Sequence, residues 1–322
     1  MIVFYDDLAK SDNPIQRVLE ELRRYLDASE PSLVRVLMNT WNAQGKAITY
    51  KELREALLYA HEFGGLAGSA FILKLYEQWR QDYSRFVIKE LRPRWEESME
   101  TAMSRIARKY PLWSFDETNA AVRKWAQEAG AIFVTNSTTT QILGLQKVIE
   151  RAVAMQDISV DALSQAIRPM VGLTHQQTAA NLRYYENLLE HGATQKQALN
   201  LATRYGARQH RYRAQNIART ELAFAYNQGG FMGVKAAQEQ GLMGKVEKRW
   251  CTADDERTCK HVCAPLDGVQ IPMDEEFNFR TRLTYPGIKL TAPAHPSCRC
   301  EVLYIEVEPP KFNRNKEKQT DQ

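Results

Sequence analysis

The sequence predicts an α+β protein, mostly helical over its N-terminal two-thirds, with a small C-terminal β-containing module stapled by cysteine and histidine. Three observations carry this. Apolar residues recur at helical spacing from Ile15 to Gln240. Past Gly241 the pattern alternates, with Val246, Lys248 and Trp250 on one side and Lys245, Glu247 and Arg249 on the other, and Glu301–Glu308 reads as a last strand. All five cysteines of the 322-residue chain lie between Cys251 and Cys300.

Taken in order, Ile15, Val18, Leu19, Leu22 and Leu26 form the stripe of a half-buried helix. Pro31 begins a second helix, with Leu33, Leu37 and Trp41. Thr49 and Glu52 form a capping box ahead of Leu53 and Leu57, and Gly64-Gly65 ends that helix. A longer pattern runs from Gly68 to Leu91, is broken at Pro93 and resumes to Lys109. Its aromatics (Phe71, Tyr76, Trp79, Tyr83, Phe86, Trp95) sit at helical spacing, as core or interface residues do. Asp116 with Asn119 opens a further helix. The run Thr135–Thr140 reads as a polar turn, Ser159 as the cap of 160–171, and His191-Gly192 as the close of 176–190. His61, His175, His191 and His210 are scattered singly, as caps or surface residues.

Residues 193–240 read as one long helix or two in line, with Gly206 and Gly229-Gly230 as weak points. Arg204, Arg208 and Arg211 fall on one face at i, i+4, i+7, interleaved with Tyr205 and Tyr212. Such a face suits phosphate backbones, which makes these three the candidate DNA contacts; a solvated face pairing with acidic partners is the plainer alternative. Further on, Arg219 and Glu221 sit among small residues. Buried charges need partners, so both read as anchors toward the module that follows.

Charged residues make up 25% and apolar residues 44% of the chain, ordinary values for a globular protein. A net charge of +4 is too small to argue for nucleic acid by itself. No apolar run reaches the roughly 18 residues of a membrane span. The first residues, Met-Ile-Val-Phe-Tyr-Asp-Asp, lack the basic start of a secretory signal. These features predict a protein made in a cytoplasm. The polar tail from Pro309 has no means of burying itself.

The cysteines fall into two clusters, Cys251 to Cys263 and His295 to Cys300. Two groups of soft ligands on turn-rich segments are how a chain builds a tetrahedral zinc site. Cys259 and Cys263 would form one half; His295, Cys298 and Cys300 would supply the other. In an extended strand Cys298 and Cys300 would stand about 6–7 Å apart, so both bind one ion only if the chain bends there. Disulfides and unlinked thiols are the alternatives. Asp254, Asp255 and Glu256 lie close enough in sequence to serve a metal-dependent hydrolase.

Ala218-Arg-Thr-Glu221 on a helix, a strand ending in Trp250, the run Asp255 to Gly268, and Pro293-Ala-His-Pro-Ser-Cys-Arg-Cys300 follow in an order that resembles the phage Mu F-like minor head protein family, also called phage head morphogenesis proteins. The resemblance spans residues 159–307. One departure stands out: the family's first pair usually reads Cys-x-x-Cys, whereas Cys259-Lys-His-Val-Cys263 has one more residue, which makes His261 a competing ligand.

The resemblance implies a virion protein present in few copies, associated with the portal and with major capsid or scaffold protein, and able to contact or accompany phage DNA. It divides the chain into a helical region (1–158), a head-morphogenesis domain (159–308) and a tail (309–322). The expected cofactor is structural zinc, because a small β-rich module buries little apolar surface by itself. The expected role is binding and assembly rather than catalysis. A virion-carried enzyme, either ADP-ribosyltransferase-like or a hydrolase, and a host-encoded zinc-stabilised DNA-binding protein are the competing readings.

Overall fold

The structure, a computed structural model, describes residues 2–3, 14–66, 69–111, 113, 120–154, 167–253 and 255–310. The expected helix start at Asp116, the Ser159 cap, the 158/159 boundary, Asp254 and the tail after Pro310 lie outside the described residues.

Among the described residues seven α-helices come first: α1 (Pro14–Ala47), α2 (Tyr50–Phe63), α3 (Ala70–Phe86), α4 (Arg92–Lys109), α5 (Ala120–Ala154), α6 (His175–Glu190) and α7 (Gln195–Glu239). A π turn, Val87–Leu91, joins α3 to α4. The capping box at Thr49 and Glu52 is present, and Gly64 ends α2 in the left-handed region at φ 73°. Four of the six aromatics expected to pack (Trp79, Tyr83, Phe86, Trp95) are buried, whereas Tyr76 is exposed.

Three expected breaks, at Pro31, Pro93 and Thr135–Thr140, are not breaks. Pro93 lies in the first turn of α4, which follows the π turn directly. Of the two readings of 193–240, the single long helix is the one observed. Pro31 lies inside α1, whose buried stripe Val18, Leu22, Leu26, Leu33, Leu37, Trp41 runs past it. One missing N–H costs about 3 kcal/mol in a helix interior, less than that stripe recovers by burial. Thr135–Thr140 is part of α5, with Ser137 and Thr138 turned inward. Gly229-Gly230 lies inside the unbroken α7 because glycine there permits close approach: a Cβ on Gly229 would fall 2.4 Å from the Met99 Cα.

The chain forms two compact units. One comprises Met1–Ser29, Pro93–Glu128 and Arg219–Gln322, the other Glu30–Arg92 and Ala129–Ala218. In the second, a buried polar relay runs from the Trp41 indole to Tyr83 (2.9 Å), from Tyr83 to Gln141, and from Gln141 to Gln44 (3.0 Å). In the first, Trp95, Trp125, Phe224 and Tyr285 form a line of ring contacts at 4.8–5.7 Å.

The sheet belongs to the first unit and has the order β1-β4-β2-β3, where β1 is Ile2–Val3, β2 Lys245–Cys251, β3 Gln270–Pro272 and β4 Glu301–Glu308. β2 pairs antiparallel with both β3 and β4, and β1 joins parallel to β4. The alternation read in β2 holds: Val246, Lys248 and Trp250 are buried, while Lys245 is exposed. Trp250 packs edge-on against Phe277 and Phe279, at 5.1 and 5.6 Å. One short helix, α8 (Cys263–Leu266), lies between β2 and β3.

Candidate metal centre

Two loops and the C-terminal half of α7 build the site. Loop 252–262 leaves β2 and turns tightly: Asp255 Oδ1 accepts the Arg257 N–H at 3.0 Å, and the Asp255 N–H donates to Thr258 Oγ1 at 3.1 Å. The turn brings Cys259 to the start of α8, where Cys263 is buried. The second loop enters β4 through a cis Ala292–Pro293 peptide and a turn closed by the Cys298 N–H on His295 O, with Ser297 at φ 56°.

That turn supplies the bend the sequence required. Cys298 and Cys300 lie with Cys263 in one group whose sulfurs are all within 4.8 Å of one another. A second group at the same separation contains Cys259, Cys263 and His295. Cys263 belongs to both. Its Sγ is 3.0 Å from His295 Nε2 and 3.7 Å from Cys298 Sγ. All five candidate ligands, Cys259, Cys263, His295, Cys298 and Cys300, therefore come together, in two groups that share Cys263.

The donor chemistry suits a thiophilic ion. Two thiolates on one zinc, each about 2.3 Å from it, stand about 3.8 Å apart in a tetrahedron, close to the observed Cys263–Cys298 separation. Without an ion, hydrogen bonds to the sulfurs of Cys263 and Cys298 raise the His295 pKa to about 11, so a metal binding there displaces a proton from the ring. Cys298 is held well below its ordinary value by Cys263 and Cys300 and then by His295, and so carries the thiolate character a metal ligand needs. At Cys259 partial burial opposes ionisation, but the backbone N–H groups of His261, Val262 and Cys263 outweigh it and lower its pKa.

Two candidates stand apart. Cys251 is buried in an apolar cluster with Val18, Leu303 and Ile305, and burial pushes its pKa up to about 12. His261 is exposed and belongs to neither ligand group. Asp255, one of the three acids a hydrolase would draw on, has both oxygens held by Arg299, at 2.7 Å on Oδ2. That bidentate pair joins the two cysteine loops.

α7 carries the module. The Thr220 hydroxyl accepts the Ser297 N–H at 2.9 Å, and Asn227 Oδ1 accepts the Val302 N–H at 3.1 Å. The two lie seven apart, on one helix face. Glu221 is buried and accepts the Tyr285 hydroxyl; burial raises its pKa to about 7, and Tyr285 opposes the rise. Glu221 is thus the anchor the sequence suggested. Arg219 instead pairs with Asp27 of α1 at 3.3 Å, beside a cavity of about 390 Å³ also lined by Asp255, Arg257 and Arg299.

Sequence reasoning passed over Thr220, Asn227, Tyr285 and Arg299. For the first two a signal existed, polar residues at helical spacing within a small, apolar run. It also treated Lys248 as an ordinary inward-facing position. Lys248 is fully buried, donates to Leu290 O at 3.0 Å and lies 5.3 Å from the Phe231 and Phe277 ring centres.

The candidate DNA contacts Arg204, Arg208 and Arg211 are all exposed on α7, and the Arg208 guanidinium lies 5.8 Å from the Tyr205 ring centre. Their neighbour Arg213 is buried against Trp41 and bonds Gly172 O. His210 Nε2 contacts Val171 O at 2.8 Å. Among the described residues no helix is long and apolar enough to cross a membrane.

Residues 144–303 match the family model described as phage Mu protein F like protein, so this part of the chain is similar to that family. The match contains the mounting helix and both cysteine loops. No curated protein and no solved structure matches the chain.

Proposed function

We propose that the chain is a minor head protein that joins the phage capsid during assembly, docking on the portal and on inner capsid or scaffold protein through its helical region (1–158). The family match over residues 144–303 carries this reading. On this reading the protein enters the virion after synthesis in the host cytoplasm. The domain at 159–308 is closed by one structural zinc ion, held by Cys263, His295 and Cys298 together with Cys259 or Cys300. Bound there, zinc supplies stability that a sheet of a few short strands lacks. Arg204, Arg208 and Arg211 are the residues through which it touches packaged DNA, by phosphate contacts with no base readout.

Pull-down of tagged protein from infected-cell extracts is expected to recover portal and capsid proteins, and mass spectrometry of purified heads is expected to find the chain. Its absence from both sinks the assembly reading. For DNA, retention that weakens with salt and is lost when the three arginines become alanine is expected; unchanged retention in the triple variant removes them.

A further inference from the structure

We propose that the module exchanges one staple for another: under peroxide the metal leaves and a Cys263–Cys298 disulfide replaces it, with Cys259 as the entry thiol. The inference rests on the metal reading above. The geometry makes Cys263 the sulfur shared by the two ligand groups, one containing Cys259 and the other Cys298. Cys259 is the partly exposed member; Cys263 lies within 4.8 Å of it, and Cys298, buried, is 3.7 Å from Cys263. One metal holds loops 252–262 and 293–300 together, and a 263–298 bond joins the same two loops. A 259–263 bond stays within one of them.

The chemistry runs in three displacements. The Cys259 thiolate attacks one peroxide oxygen, the O–O bond breaks, and the departing hydroxide takes a proton to become water. The Cys263 thiolate then attacks the Cys259 sulfenic sulfur, and the second hydroxide leaves as water. Finally the Cys298 thiolate attacks the Cys263 sulfur and expels Cys259 as thiolate. Two thiols have given two electrons to one peroxide. The metal has lost two of its ligands and departs as the free cation.

Elemental analysis of the purified full chain comes first. Absence of zinc defeats the metal reading by itself, and the thiol relay is then judged on chelator-stripped protein. Hydrogen peroxide is expected to release the zinc to a chromogenic chelator as two free thiols disappear, and peptide mapping is expected to find the Cys263–Cys298 link. The oxidised, metal-free protein should melt above the reduced, metal-free one. In stripped protein Cys259→Ser should slow formation of that link at least tenfold without changing the product, and Cys298→Ser should halt at Cys259–Cys263. A Cys298–Cys300 or intermolecular product overturns the proposal, as does a Cys259→Ser variant that oxidises at the parent rate. Should Cys298→Ser fail to fold, parent mapping and the Cys259→Ser rate still decide the matter.

Discussion

The Thr220 hydroxyl receives the backbone N–H of Ser297, 2.9 Å away, and so ties a long helix to the turn that presents His295 and Cys298. Hydroxyl and N–H lie 77 residues apart in the chain. Thr220→Val keeps the shape and leaves the N–H without its acceptor. A loss of about 1–3 kcal/mol in urea unfolding is expected, together with weaker zinc retention in a chelator competition. Unchanged zinc retention would mean that the turn holds its form without α7.

Glu221 gives the protein an acid-side signature. Its folded pKa, about 7, is above its ordinary 4.5, so the folded state keeps a proton that the unfolded chain has released. The resulting stability is fully present below pH 4.5 and falls as pH rises toward 7, by about 1.4 kcal/mol per unit at most. Glu221→Gln should abolish this slope. Parallel curves for parent and variant, measured by denaturant unfolding at pH 4.5 to 8, would show that the carboxyl titrates normally.

Lys248 works in the opposite sense. Burial pushes its pKa down to about 8 from 10.5, with Asp274, Glu275 and Glu276 opposing. The unfolded chain therefore binds the proton more tightly, and stability rises with pH between 8 and 10.5. Lys248→Met fills similar space without the charge. It should match or exceed the parent at pH 7 and lose its lead as the buffer becomes alkaline. A large destabilisation at pH 7 would show instead that the bond to Leu290 O and the two ring contacts outweigh the desolvation cost.

Two of the buried cysteines, Cys251 and Cys263, should part company. Cys263→Ala removes the sulfur common to both ligand groups, so zinc content should drop below half and thermal stability with it. Cys251→Ala leaves only a small apolar void, costing about 1 kcal/mol with full zinc content. Elemental analysis of both variants checks this, and equal zinc loss in the two would contradict the assignment.

Gly229 and Gly233 offer a test of close helix packing. A Cβ at Gly229 meets the Met99 backbone at 2.4 Å, whereas at Gly233 it meets the flexible Met103 side chain at 2.5 Å. Gly229→Ala should destabilise by about 3 kcal/mol. Gly233→Ala should be near neutral, since helix propensity returns about 1 kcal/mol. Equal effects in urea unfolding would show that α4 and α7 can slide apart.

What the chain spells out locally was legible without coordinates: the capping box at Thr49, the alternation through Lys245–Trp250, the crowding of thiols after Trp250, and the family resemblance. These depend on neighbours a few residues apart, and local spacing records them. Pro31 and Thr135–Thr140 misled for the converse reason, since each is a local breaker overruled by burial along a helix that the rest of the protein completes. Only the tertiary structure could make Cys263 the sulfur common to both ligand groups, give Asp255 to Arg299, or set Thr220 against Ser297. Those pairings join residues dozens of positions apart, and no period along the chain encodes which distant groups will face each other once the turns have closed.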